Sequence, residues 1–373
     1  MRRLDIPAQS HDVDVIALVD QILRSAIERG ASDVHIEPTN DGAEIRFRVD
    51  GLLEVFAKRD GAVGRSVVTR LMVMAHLLTY RLDIPQEGRL RVDVARANGP
   101  MDLRLAIMPT THGLRAAIRL PAELIQPRSL DELGLPLAVS HGLKAFAMSD
   151  SGMLLVTGPA GSGKTTTIYA LLQHIVASSL GSSIVSLEDP VERDIPGVTQ
   201  IEVSPFGQLT YDRALRSILR QDPQVLMLGE IRDADTASLA AQAALSGHRL
   251  ICTLHAASPG GAVARLLEMG LEPYRITSAL YGVIAQRLLR KLERHWEGEL
   301  RPPKGHYKGR VPAAEFVPMT GSLRRAILER ADADQLQQIA SREAGYSSLR
   351  DSAESLVLDN LTDAAEVERV LGK

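Results

Sequence analysis

Cysteine is nearly missing from this chain: Cys252 is the only one among 373 residues. Intrachain disulfides and cysteine-cluster zinc sites are therefore excluded, and so little thiol suits a reducing cytoplasm. Aromatic residues are scarce at 3%, which leaves few platforms on which single-stranded nucleic acid can stack. Neither charge dominates. A net charge of −3 provides no basic field for nucleic acid or an anionic membrane. No apolar run reaches the ~20 residues needed to span a bilayer. The opening text MRRLDIPAQSHDVD lacks the apolar core of a signal peptide, so any membrane association is expected to be peripheral. What remains, 45% hydrophobic and 24% charged, is ordinary globular protein, long enough for two or three domains with cores of their own.

The most informative text is MLLVTGPAGSGKTTTIY, Met153 to Tyr169. An apolar run ends in a glycine-rich turn that opens directly into a helix-like segment. Gly158, Gly163, Lys164 and Thr165 satisfy the G-x-x-x-x-G-K-[ST] pattern of a phosphate-binding loop. Glycines let backbone N–H groups curl around phosphate oxygens, and the positive helix N-terminus faces the same anion. Lys164 reaches toward the β- and γ-phosphates, and the Thr165 hydroxyl suits Mg²⁺. Gly158, Pro159, Ala160, Gly161, Ser162, Gly163, Lys164, Thr165 and Thr166 are thus the expected ATP-binding residues.

Around this loop the chain reads as α/β. Helical periodicity runs from Val13 to Arg29 and again over 63–80. Strand-like alternation marks ASDVHIEP, AEIRFRVDGLLEV, 90–95, 101–108 and 114–120. Residues 1–120 are therefore expected to form a small α+β domain, behind a loose polar tail at 1–12. Residues 121–135, PAELIQPRSLDELGL, read as a linker. Residues 136–373 form the second domain. Strands are expected at 153–157, 184–188, 199–203, 225–229 and 249–254, and helices at 136–147, 164–178, 209–221, 234–246 and 258–269. From about residue 273 the text reads as mostly helical, with one strand-like interruption at 311–317.

Several acidic and basic groups fall at the ends of these elements. VLMLGE ends an apolar strand in Glu230, where phosphate-loop enzymes place a carboxylate beside Mg²⁺ and its waters. SLEDPVE supplies Glu188, Asp189 and Glu192. Hydrolysis needs a carboxylate to orient or deprotonate water, and Glu188, ending the apolar IVSL, is the better placed. Asp189 and Glu192 equally suit the turn that Pro190 imposes. Arg213, Arg216 and Arg220 share a helical face, either a solvated stripe or a phosphate-facing one. His248 and His255 flank one strand, near its opposite ends, which argues against both ligating one metal. His255 lies at the carboxyl end, where ligands bind in parallel sheets, placed to sense a γ-phosphate. Asp33, His35 and Glu37 share a strand face. With no further ligand cluster beside them, that face reads as a polar surface rather than a metal site.

Taken together, the text resembles the secretion ATPases of type II secretion and type IV pilus systems, the GspE/PilB/PilT superfamily. The stretches that carry the likeness are ASDVHIEP, RVDGLL, IPQEGRLR, GPAGSGKTTTIYALL, EDPVE, LRSILRQDPQVLMLGEIRD and SGHRLICTLHAASPGGAVARLLEMG, in the family's order over about residues 13–290. The resemblance implies a homo-hexameric Mg-ATP motor with a PAS-like N-terminal domain and a RecA-like core. It implies a cytoplasmic place at the inner face of the membrane, acting on a membrane platform protein. It assigns Glu188 and Asp189 to the Asp box, with Glu188 as general base, Glu230 to the Walker B acid, and His248 and His255 to the His box. Arg104 and Arg119 match the N-terminal-domain arginines that reach the triphosphate, as charge stabilisation in the transition state requires.

The departures are informative too. Assembly members commonly carry a cysteine-rich zinc module after AQRL. Here Ala285-Gln286-Arg287-Leu288 leads to the surviving YKGR at 307–310 without a cysteine, so a shortened loop and no zinc are expected. The space before residue 13 is too short for the extra docking domain that assembly members often carry, so none is expected, and Ala160 replaces the usual Thr, a mild change at a position that contributes mainly backbone. The lack of the zinc module and of the docking domain suits a retraction ATPase, whereas the IHIEP-like and RVDGLL-like text is closer to the assembly and type II group. An assembly or secretion motor is the preferred expectation, with no direct nucleic-acid partner. A nucleic-acid-translocating ATPase ranks behind both, for want of a basic channel and aromatic platforms.

Overall fold

Asp14 starts the first helix, α1 (Val15–Glu28), by accepting from the backbone N–H groups of Ile16 at 3.0 Å and Ala17 at 3.2 Å, which satisfies two otherwise orphaned donors. Its apolar stripe, from Leu18 to Ile27, is buried. The structure is a computed structural model describing residues 13–93, 100–121, 129–179, 181–203, 209–293, 307–343 and 345–372. The expected polar tail, linker residues 122–128 and the cysteine-free loop over 294–306 lie outside the described residues. The chain divides into two compact units, Met1–Gln126 and Pro127–Lys373.

In the first unit α1 is followed by β1 (Ala31–Thr39), β2 (Gly42–Val49), β3 (Leu52–Arg59), α2 (Gly61–Met74), β4 (Gln86–Asp93), β5 (Pro100–Thr110) and β6 (Gly113–Arg119). Among the described residues these strands form one six-stranded sheet in the order β3-β2-β1-β6-β5-β4, antiparallel throughout. Alternation sorts its two faces. Val34, Ile36, Ile45, Phe47, Leu103, Leu105 and Ile118 join the apolar faces of α1 and α2 in one core, each buried side chain stabilising by roughly 1.5–3 kcal/mol.

The other face of that sheet is polar and paired. Arg48 and Arg119 approach Asp33 at 3.3 and 3.6 Å. Arg115 meets Glu37 at 2.8 Å and the His35 ring at 3.3 Å. Asp33, His35 and Glu37 thus belong to arginine-paired rows of the sheet. Among the described residues no group of three or more His, Cys, Asp or Glu is arranged to hold a metal.

The second unit contains α3 (Leu137–Ala147), β7 (Gly152–Thr157), α4 (Lys164–Ser178), β8 (Ile184–Glu188), β9 (Thr199–Glu202), α5 (Tyr211–Ile218), β10 (Val225–Leu228), α6 (Ala234–Leu245), β11 (Arg249–Leu254) and α7 (Pro259–Glu268). It continues with α8 (Pro273–Ala279), β12 (Leu280–Leu292), β13 (Tyr307–Pro318), α9 (Gly321–Leu328), α10 (Ala333–Ala340), α11 (Leu349–Leu358) and α12 (Ala364–Leu371). Its described strands form a seven-stranded sheet, β13-β12-β7-β11-β10-β8-β9, parallel except for β13. β8, β10 and β11 are buried along their whole length, as strands covered on both faces must be. Because β7, β11, β10 and β8 run parallel, their carboxyl ends open along one edge.

One expectation is corrected here. The region from about residue 273 does carry helices, but Leu280–Leu292 is a 13-residue strand wedged between β7 and β13. Its text, LYGVIAQRLLRKL, opens on a short apolar run and then mixes apolar and basic residues, and periodicity alone cannot separate a buried strand from a buried helix in so short a run. This strand proves central to the site.

Candidate active site

β7 delivers the chain to Gly158 and α4 begins at Lys164, so the phosphate loop spans the gap between a buried strand and a 15-residue helix. Gly158 has φ 145°, and a Cβ there would lie 2.5 Å from the Gln286 carbonyl oxygen. Gly163, the residue that caps α4, has φ 87°, and its Cβ would lie 2.7 Å from Gln286 Nε2. Both positions demand glycine for conformation and for space. The Lys164 ammonium folds over the loop and donates to the Gly158 and Pro159 carbonyls, each at 2.9 Å. Burial pulls its pKa below the ordinary lysine value, opposed by nearby Glu230 and reinforced by Arg287. The Ser162 hydroxyl is buried in the same loop with no hydrogen-bond partner among the described residues, a condition that an anion's oxygen would relieve.

Gln286 on β12 holds this loop from beneath. Its amide nitrogen donates to the Ser162 carbonyl at 2.8 Å, and its oxygen accepts from the Thr167 hydroxyl at 2.8 Å. Thr157 donates to the Ile284 carbonyl at 3.1 Å. The sequence reading treats Gln286 only as part of the AQRL landmark. The available signal is a lone amide in an apolar run, which a buried position tolerates only when both its ends are bonded.

Glu188 ends β8 and is buried, 3% exposed. Its carboxylate accepts from the hydroxyls of Tyr169 on α4 and Ser186 (2.6 Å), and from the Gln200 amide at 3.0 Å. Burial and the facing Glu188 push the Tyr169 phenol far above its usual value, so it remains a donor. Glu188 is thus tied to the helix that begins at Lys164. Asp189, the next residue, accepts from Arg232 Nη1 at 3.3 Å.

Glu230 follows β10 at the same edge. Its carboxylate is met by Arg232 Nε at 3.1 Å and by His255 Nε2 at 3.3 Å. Arg232 bridges Asp189 and Glu230 and stands 5.9 Å over the Tyr211 ring, whose phenol burial pushes up to about 12. Asp189, Arg232, Glu230 and His255 thus form a chain of polar contacts across the carboxyl ends of β8, β10 and β11, where open parallel sheets bind ligands. Arg232 has no role in the sequence reading, although it lies in the GEIRD text.

His248 stands at the opposite end of β11, its ring nitrogen Nδ1 2.9 Å from the Ala243 carbonyl, and does not join this chain. Arg216 is exposed and paired with Asp212 at 2.9 Å, an i,i+4 pair on α5. Arg104 and Arg119 lie in the first unit, directly opposite each other on β5 and β6. Thr165 and Thr166 occupy the first turn of α4. Mg²⁺ favours few protein ligands plus phosphates and waters. The Thr165 hydroxyl and Glu230, whose charge acts on Lys164 at the loop, fit that requirement.

The chain also resembles known proteins along most of its length. The chain is 38% identical to type II secretion system protein HxcR of Pseudomonas aeruginosa, over 95% of this chain and 77% of that protein. It is 35% identical to type IV pilus assembly ATPase PilB of Thermus thermophilus, over 94% of this chain and 42% of that protein. Among solved structures, the pilus retraction motor PilT with bound ADP matches at 26% identity and TM-score 0.64, covering 94% of this chain and 96% of that one. The second unit is accordingly a RecA-like ATPase core. The family described as type II/IV secretion system protein matches residues 8–369, and this chain belongs to it, as one of the secretion and pilus ATPases.

Proposed function

We propose that the chain is a Mg-ATP-hydrolysing motor that assembles as a homo-hexamer and drives a type II secretion pseudopilus or a type IV pilus by moving a membrane platform protein. The observation that carries the reading is the junction of the phosphate loop with the acidic edge, where Lys164 bridges two loop carbonyls within the field of Glu230. Lys164 and the loop amides bind the β- and γ-phosphates. Thr165 and Glu230 would hold Mg²⁺, partly via water, and when bound the ion would neutralise phosphate charge. Glu188 orients the attacking water, and one of its three donors yields as water arrives. His255, paired with Glu230, senses the γ-phosphate. Arg104 and Arg119 are the arginines that stabilise charge on the triphosphate; the two domains of the chain are 1–120 and 136–373. Among the described residues no helix is long and apolar enough to cross a membrane. The proposed place at the inner face of the cytoplasmic membrane is therefore through the platform.

Assembly or secretion is preferred because HxcR and PilB match at higher identity than PilT. Retraction is the second reading, favoured by the 96% of the PilT motor that this chain covers. ATP turnover and calorimetric ATP binding in Lys164→Ala test the core of the proposal. Loss of both is expected; normal binding with unchanged turnover would sink it.

A further inference from the structure

A buried polar cluster on β12 and β13 takes no part in the chemistry above. Ala285 pairs with Glu315 and Arg287 with Ala313 across this antiparallel ladder, so Arg287 and Glu315 are diagonal neighbours on one face, within reach of a long side chain. Glu315 is 3% exposed. Its Oε2 accepts from the Tyr346 hydroxyl at 2.5 Å and the Gln337 amide at 3.4 Å, and the Leu349 backbone also donates to its carboxylate. Gln337, on α10, also donates to the Tyr346 hydroxyl at 2.8 Å and accepts from the Gly260 N–H of α7 at 3.3 Å. Burial pushes the Glu315 carboxyl up, and Arg287 is among the groups that pull it back.

Arg287 points the cluster toward the phosphate loop. It follows Gln286, donates to the Gln286 and Ala257 carbonyls at 3.0 Å each, and lies close enough to Lys164 to depress its pKa. Two cations at one loop repel each other, and a multiply charged anion between them reverses that sign. A carboxylate kept buried in a core costs desolvation that apolar packing avoids, so its retention calls for a task.

We propose that Arg287 is a second phosphate-directed cation of the nucleotide site and that Glu315 is its positioning residue, tethered by Tyr346 and Gln337 so that the packing of α10 and α11 sets nucleotide affinity. The inference rests on the nucleotide-binding reading above. Steady-state ATP kinetics on the full chain test it, with Arg287→Ala, Glu315→Gln and the double variant. Each single change is expected to raise KM about tenfold, the scale of one charge-assisted hydrogen bond, with kcat moved far less. The double variant is expected to be no worse than Arg287→Ala alone, because Glu315 acts only through the guanidinium. Tyr346→Phe keeps the ring and removes the donor, and is expected to raise KM in the same direction. An unchanged KM in Glu315→Gln and Tyr346→Phe, or full additivity in the double variant, would overturn the proposal. If the wild-type chain itself neither binds nor hydrolyses ATP, the functional reading fails first, and that outcome is distinct.

Discussion

Gln286 spends both ends of its amide on the phosphate loop, joining the Ser162 carbonyl to the Thr167 hydroxyl. Gln286→Ala leaves both groups buried and unpaired, at about 1–3 kcal/mol each. Chemical denaturation is expected to show a stability loss of about 2 kcal/mol or more, with weakened ATP binding; unchanged values in both would refute the brace. Much of the site at this scale is legible in the text, because Lys164 and Glu230 sit at motif-defined ends of apolar runs. Asp33, His35 and Glu37 likewise read correctly as a polar face. The settings of these residues are less legible. Glu188 is held by Tyr169 and Gln200, 19 and 12 positions away, and Arg232 finds Asp189 from 43 positions away. Such pairings arise from sheet order, which no local pattern encodes.

Elements tell the same story with the difficulty reversed. The alternation from β7 to α7 is legible because β7, β8, β10 and β11 are short, mostly apolar runs stopped by turns, and α5, α6 and α7 have side-chain caps. Asp233, for instance, accepts from the Thr236 N–H at 2.8 Å to begin α6. β12 escapes because Leu280–Leu292 has no such punctuation and only its neighbours β7 and β13 make it a strand. Its far end carries a clamp. Arg290 donates to the fully buried Glu366 of α12 at 2.7 and 2.9 Å, and Arg369 adds a further pair. Burial pushes the Glu366 carboxyl up, but the hydrogen bonds from Arg369 and Arg290 prevail and hold it below the ordinary value. A depressed carboxylate pKa contributes stability above the unfolded-state value and loses it as pH falls through the folded one. Glu366→Gln is therefore expected to cost about 3–5 kcal/mol near neutral pH. In urea titrations its deficit against wild type should shrink once pH drops below the usual glutamate range. A deficit independent of pH would contradict the clamp.

For the whole molecule, the proposed cycle needs several copies of the chain. Sedimentation with and without ATP, using the hydrolysis-deficient Glu230→Gln, is expected to show a nucleotide-favoured hexamer. A single-chain species under every condition would remove the ring from the proposal while leaving the ATPase site standing. The claim on which everything else depends is that the acidic edge acts on a nucleotide held by the phosphate loop. Parallel measurement of ATP binding and phosphate release in wild type and Glu230→Gln tests it most directly. The account predicts near-wild-type binding with turnover reduced by about a hundredfold or more, the mark of an interaction made chiefly in the transition state. Unchanged turnover in Glu230→Gln would contradict it.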